Sequence, residues 1–173
     1  MNAHFKTCAF PGCQNLVASS RDSVYCYALH ICLIGTGDVN GWQEKFAKGV
    51  RFWSHKALSF WTPNIGEPED DEVVFDEMHA EICSDYVVYY LFDPEYEDGR
   101  FNYEHVEYAA IASLKKYPKR TIVAFATIGL PSKSHGKNLK KYYDWLSRFP
   151  GSHLCKGIYS AESELEELIR REH

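Results

Sequence analysis

The chain is defined first by what it lacks. No apolar run approaches the roughly 20 residues that a bilayer-spanning helix needs. The first residues, MNAHFKTCAFPGC, lack the long apolar core of an export signal, so the expectation is a soluble, cytoplasmic protein with no membrane partner. There is no basic excess: 19 Lys and Arg against 24 Asp and Glu leave a net charge of −5. No basic stripe is visible either, which argues against binding a nucleic-acid polymer by counterion release and favours a small-molecule partner. Neither G-x-G-x-x-G nor G-x-x-x-x-G-K-[ST] occurs, so dinucleotide or triphosphate cradling of those kinds is unsupported. The nearest approach is Gly35-Thr36-Gly37. There is no internal repeat and no low-complexity linker.

What is present suits one ordinary domain. The 173 residues are 45% hydrophobic and 15% aromatic, enough to build a core and too apolar for disorder. Six cysteines are spread unevenly, with Cys8, Cys13 and Cys26 near the start. In a chain without an export signal, clustered cysteines suggest a metal or free thiols before disulfides. Residues 1–28 read as an irregular, Cys-containing arm, punctuated by Pro, Gly and Ser without a sustained period. Residues 29–173 read as the main domain. Cys8-x4-Cys13-x12-Cys26-x3-His30 has finger-like zinc-ligand spacing. The bland alternative is three thiols in an arm, and His30 counts against a ligand set because it opens a strand. Cys32 and Cys83 fall in apolar or helical patterns and are expected to be buried as small apolar groups.

From His30 onward, strand and helix signals alternate. His30 to Thr36 is a short apolar run ending in a Gly turn, the mark of a strand buried on both faces. Asn40 is placed to cap a helix whose Trp42, Phe46, Val50 and Trp53 recur every three or four residues. Leu58 to Thr62 is a second strand, followed by an acidic turn at Gly66 to Asp71. Val73 to Ser84 reads as a helix with Val74, Met78 and Ile82 on one face. Tyr86 to Phe92 is a third strand. It leads through an acidic loop, Asp93 to Gly99, into a helix with Tyr103, Val106, Ala110, Ser113 and Tyr117 on its buried side. Thr121 to Thr127, a helix from Asn138 to Phe149, a strand from Ser152 to Gly157 and a last helix capped by Ser160 complete the pattern. Five strands alternating with five helices imply right-handed crossovers and a parallel sheet. The expected architecture is α/β: a doubly wound, five-stranded parallel sheet of the flavodoxin-like or Rossmann-like kind.

In open sheets of this kind ligands sit where strand C-termini meet the following loops. The acidic residues after the third strand therefore matter most. Asp93, Glu95 and Glu97 suit a solvated run, and His105 and Glu107 suit surface or packing positions. Asp98 and Glu104 bracket the loop and the helix start, and Glu77 lies on the preceding helix. Such carboxylates suit cleavage of an N-glycosidic bond, which builds oxocarbenium character at the anomeric carbon. An ionised carboxylate can attack that carbon or stabilise its charge, while a second acid protonates the leaving base. The turn at Gly35-Thr36 reads either as a close approach of the next helix or as the floor of a sugar or phosphate site.

The order of these features resembles the nucleoside 2-deoxyribosyltransferase family in its broad sense, including related nucleoside and nucleotide N-glycosidases. The resemblance rests on Leu33-Ile34-Gly35-Thr36 ending the first strand, Trp42-Gln43-Glu44 on the next helix and Glu77 eight positions before Asp85. It continues with Asp98-Gly99, Glu104 six positions after Asp98, and Asn138-Leu139 after the fourth strand, and it spans about residues 30–145. It implies that Glu104 is a nucleophile forming a covalent 2-deoxyribosyl intermediate, with Asp98 and Glu77 as acid or orienting groups at the base. It further implies that Gly35 and Thr36 line the sugar end and that Asn138 reaches a neighbouring subunit's site, hence a homo-oligomer. Asn64, in the turn after the second strand, joins the expected substrate-binding set. Catalysis there uses no cofactor and no metal, and the partner is a nucleoside or nucleotide.

This sequence departs from the family in several places. It has no tyrosine in the first-strand turn, and Pro63-Asn64-Ile65 stands where glutamine or arginines are usual. Glu77 replaces an Asp common in some members, and His105-Val106-Glu107 follows the nucleophile position. Transfer to another base and transfer to water both stay open. Two other readings compete: an NAD-cleaving enzyme of the TIR type, and a non-catalytic nucleotide-binding or interaction module.

Overall fold

The computed structural model describes residues 5–18, 23–35, 41–62, 71–91, 103–125 and 143–173. Its centre is a sheet of five parallel strands: β3 (Leu29–Gly35), β4 (Leu58–Trp61), β5 (Tyr86–Leu91), β6 (Thr121–Phe125) and β7 (His153–Cys155). They lie in the order β4-β3-β5-β6-β7. The chain thus runs outward from β3 to β4, returns to β5 on the other side of β3, and proceeds through β6 to β7. This is the doubly wound α/β arrangement expected from the alternating pattern, with its order reversing between β3 and β5.

The strands are apolar throughout because both faces are covered. On one face Ile31 and Leu33 of β3, Tyr86 and Val88 of β5 and Ile122 and Ala124 of β6 pack under two helices. These are α1 (Trp42–Trp53) and α4 (Ile158–Glu172). On the opposite face Cys32, Ile34, Val87, Tyr89, Val123 and Phe125 meet α2 (Asp71–Cys83), α3 (Tyr103–Lys116) and Leu146. Leu146 belongs to a helical turn at 143–146, the described part of the helix expected from Asn138 to Phe149.

Several details differ from the sequence reading. On α1, Trp42, Phe46, Ala47 and Val50 are buried, whereas Trp53 is 60% exposed. On α2, Met78 and Ile82 are exposed and Ala80 is the fully buried residue. The α2 surface that meets the sheet is therefore turned away from the expected stripe, with Glu81 accepting the Tyr89 hydroxyl at 2.7 Å. Cys83 is half-buried and accepts a hydrogen bond from the Tyr25 hydroxyl at 3.1 Å rather than acting as an inert core group. Gly41, in the left-handed region at φ 59°, caps α1 in place of Asn40. Helix α4 begins at Ile158 after Gly157 (φ 93°), so Ser160 lies inside it and no acidic residue falls in its first turn. Gly157 reaches the left-handed region without the Cβ clash that other residues meet, and this starts the helix early.

Residues 5–18 are not wholly irregular. β1 (Phe5–Thr7) and β2 (Leu16–Ala18) form an antiparallel hairpin. Phe10 and Val17 from this segment are buried in the same cluster as β3, β5, α2 and α3. The arm is therefore part of the core on that face. Among the described residues no helix is long and apolar enough to cross a membrane.

The C-terminal carbonyls of α2 are left without helical partners. Arg120, just before β6, supplies donors: Nη1 donates to Ser84 O at 2.6 Å and to Ile82 O at 3.0 Å. Its guanidinium lies 4.0 Å from the centre of the Tyr117 ring. This clamp fixes the end of α2 against the start of β6.

Burial gives the fold an alkaline limit. Burial pushes the Cys155 thiol up to about 11, helped by the nearby Glu164 carboxylate. Burial also raises Tyr86, whose hydroxyl donates to Glu172 at 3.0 Å, and Tyr89 beside Glu81. Groups raised in the folded state stabilise it below their unfolded values and lose that contribution as pH climbs through the folded value. Urea midpoints should hold to about pH 9 and fall between pH 9 and 11, with Cys155 alone contributing on the order of 2–3 kcal/mol. Cys155→Ala should make the decline shallower. A midpoint that stays flat to pH 11 would contradict this account.

Candidate functional site

The strand order reverses between β3 and β5, and the C-terminal edge of the sheet at such a reversal is the position where ligands of doubly wound folds sit. β3 ends there at Gly35, which pairs with Tyr90 of β5. A Cβ at Gly35 would stand 2.7 Å from Cζ2 and 2.9 Å from Nε1 of Trp42. No side chain fits in that space, so glycine allows the first turn of α1 to lie on the strand end. Trp42 is buried and also packs on Tyr90, with ring centres 5.1 Å apart, and on Phe46 at 6.4 Å. Burial raises the half-buried Tyr90 phenol, with Tyr159 of α4 adding to the effect. Gln43, next to Trp42, is 6% exposed. The end of β3 is therefore backed by an aromatic wall on its α1 side.

Of the residues expected at this site, the backbone of Glu104 lies in the first turn of α3, which begins at Tyr103 after β5. Glu77 lies midway along α2, the helix leading into β5. The side chains of Glu77 and Glu104 lie outside the described residues, as do Thr36, Asn64, Asp98 and Asn138 in their entirety. Gly35 ends β3, and α3 is the helix that follows β5, the two strands that flank the order reversal. Tyr90 was not singled out in the sequence because it sits inside an apolar strand run. Its pairing opposite Gly35 is what brings it to the site.

A second constellation lies at the opposite end of β3. The ligand atoms of Cys8, Cys13, Cys26 and His30 all lie within 4.8 Å of one another. His30 Nε2 is 3.5 Å from the sulfur of Cys8 and 3.5 Å from that of Cys26. The sulfurs of Cys13 and Cys26 are 3.7 Å apart. Cys8, Cys13 and His30 are buried and Cys26 is half-buried. No disulfide joins any of the six cysteines. The His30 backbone N–H donates to Asp85 Oδ2 at 2.7 Å, and Nδ1 of its ring lies 3.8 Å from the same oxygen. Burial lowers the imidazole's proton affinity, opposed by the Asp85 charge. Burial pushes the Cys8 thiol up. At Cys13 burial acts in the same direction, but hydrogen bonds with the Ser59 hydroxyl, the Asn15 backbone and the Cys26 and Cys8 sulfurs together outweigh it and bring the thiol below its ordinary value.

A separate groove of about 170 Å³ lies between the C-terminal ends of α1 and α4, lined by Trp53, His55, Lys56, Glu166 and Arg170 among others. It is far from the order reversal and is open to solvent along two exposed helix ends. No protein-family model matches the sequence, and no curated protein matches it significantly.

Gly35→Ala tests the aromatic wall. The added methyl must displace Trp42 from Tyr90 and Phe46, at an expected cost of about 1–3 kcal/mol in urea denaturation. Shortening the ring in the same chain, Gly35→Ala with Trp42→Leu, should cost less than the two single changes summed. Strict additivity would show that the two residues do not press on one another.

Proposed function

We propose that the protein cleaves the N-glycosidic bond of a nucleoside or nucleotide and passes the sugar to another base or to water, as a relative of the nucleoside 2-deoxyribosyltransferases. The observation that carries this reading is positional. Glu104 falls in the first turn of the helix that follows β5, one of the two strands that flank the reversal of the strand order. A helix N-terminus favours a carboxylate that stays ionised, which is the state a nucleophile needs. Tyr90, half-buried and backed by the buried Trp42, adds an aromatic group on the α1 side suited to contact with a base or sugar.

In this mechanism Glu104 attacks the anomeric carbon as the bond to the base breaks. Asp98 delivers a proton to the departing base, with Glu77 orienting it, and the glycosyl–Glu104 ester is then taken by a second base or by water. Gly35, Thr36 and Asn64 hold the substrate. Asn138 completes a neighbouring subunit's site, so the active form is a homo-oligomer.

The direct test is incubation with the common deoxynucleosides and a second free base, followed by chromatography of bases and nucleosides. Exchange or base release is expected. Glu104→Gln should abolish it and leave the fold intact, with stability in urea lowered by no more than the contribution of a charge at a helix N-terminus, about 0.3–1 kcal/mol. Asp98→Asn should slow base departure about 10²-fold or more. Tight nucleotide binding without turnover would instead favour a binding module, and NAD consumption that depends on Glu104 would favour the TIR-type reading.

A further inference from the structure

The cluster beneath the start of β3 is unused by the chemistry above, and its geometry is specific. We propose that Cys8, Cys13, Cys26 and His30 hold a single structural zinc ion. Tetrahedral zinc, with Zn–S near 2.3 Å and Zn–N near 2.0–2.1 Å, requires sulfurs about 3.8 Å apart and sulfur-to-nitrogen separations of about 3.6 Å. The observed spacings are 3.7 Å between Cys13 and Cys26 and 3.5 Å from His30 Nε2 to each of Cys8 and Cys26. All four atoms lie within 4.8 Å of one another, which suits one ion rather than a multi-metal cluster. A disulfide would draw two sulfurs to about 2.05 Å and leave a thiol and an imidazole over.

The surroundings are those of a ligand set. The backbone N–H of Cys26 donates to the Cys8 sulfur at 3.3 Å, and Asn15 Nδ2 donates to the Cys26 sulfur at 3.4 Å. Such bonds favour thiolate over thiol. His30 presents Nε2 to the sulfurs and Nδ1 toward the Asp85 carboxylate, the carboxylate–histidine–metal order that fixes a ligating imidazole. Three thiolates and an imidazole select zinc over magnesium or calcium. On binding, zinc displaces the three thiol protons to solvent and forms three Zn–S bonds and one Zn–N bond.

All four coordination positions are filled by the protein, so none is left for water, and the centre is structural. It lies at the N-terminal edge of the sheet. Gly35 is five steps further along β3 than His30, about 16 Å at strand rise, so the metal does not reach the candidate active site. Its ligands come from the β1–β2 hairpin (Cys8, Cys13), the segment after it (Cys26) and the sheet itself (His30). Zinc therefore staples the arm to β3.

The test is elemental analysis of the full chain, purified under reducing conditions without a metal-affinity step. Zinc at one ion per chain is expected, and it should be lost from Cys26→Ser and His30→Ala but kept by Cys155→Ser, whose thiol lies elsewhere. Because those ligand variants can misfold, the unaltered chain gives a second readout. Stripped of metal and titrated with cobalt(II), it should show the intense visible bands of tetrahedral cobalt and a thiolate-to-cobalt charge-transfer band, both abolished by added zinc. A full chain that neither carries nor takes up zinc would overturn the proposal. So would an octahedral cobalt spectrum, or undiminished zinc in the ligand variants.

Discussion

Ile31 through Gly35 of β3 pair in parallel with Tyr86 through Tyr90 of β5, and this register decides what meets at each edge of the sheet. At one edge it sets Gly35 opposite Tyr90, with Trp42 closing over both. At the other it is extended by a reciprocal bond. The His30 N–H reaches the Asp85 carboxylate at 2.7 Å, and the Asp85 N–H reaches the His30 carbonyl at 2.8 Å. A slip of one residue would carry His30 to the α1 face, away from the thiols, and would exchange the two buried faces of the strand.

The same pairing separates two tasks. The C-terminal edge is where β3 and β5 end side by side, the position at which doubly wound sheets take their ligands. The N-terminal edge is closed by the arm, held by Phe10, Val17 and the Cys–His cluster. Strands buried on both faces connect the two ends as a stiff rod. Changes in the arm should therefore register in stability before they register in chemistry.

The strands were legible because a parallel sheet covered on both sides demands unbroken apolar runs, and HICLIG and YVVYYL are such runs. Alternation of helix and strand then leaves few topologies. The helix faces were less legible. Spacing tells which residues share a face but not what covers it. Trp53, Met78 and Ile82 fall at helical spacing yet are exposed: Trp53 lines the open groove against the last helix, and α2 buries Ala80 instead. Strands of three residues, as in β1 and β2, carry too few alternations to be recognised. At the candidate site Gly35 was readable from its turn, while Tyr90 was hidden by its strand, and the side chains of Glu77 and Glu104 and several partners lie outside the described residues. His30 was discounted as a ligand for opening a strand. In fact the two-residue alternation of β3 sends it to the same side as Cys32 and Ile34, where the arm waits.

Chain order gives the Cys–His cluster a kinetic meaning. The three sulfurs precede the sheet, and the imidazole that completes the set is anchored by a carboxylate 55 residues further along. Contacts of such separation form late, after the closure entropy of the intervening chain has been overcome. A nascent arm can offer a metal three loose thiols but not the oriented fourth ligand. Full coordination thus comes only after β5 has docked beside β3, and the ion acts as a latch thrown at the end of folding rather than a seed at its beginning.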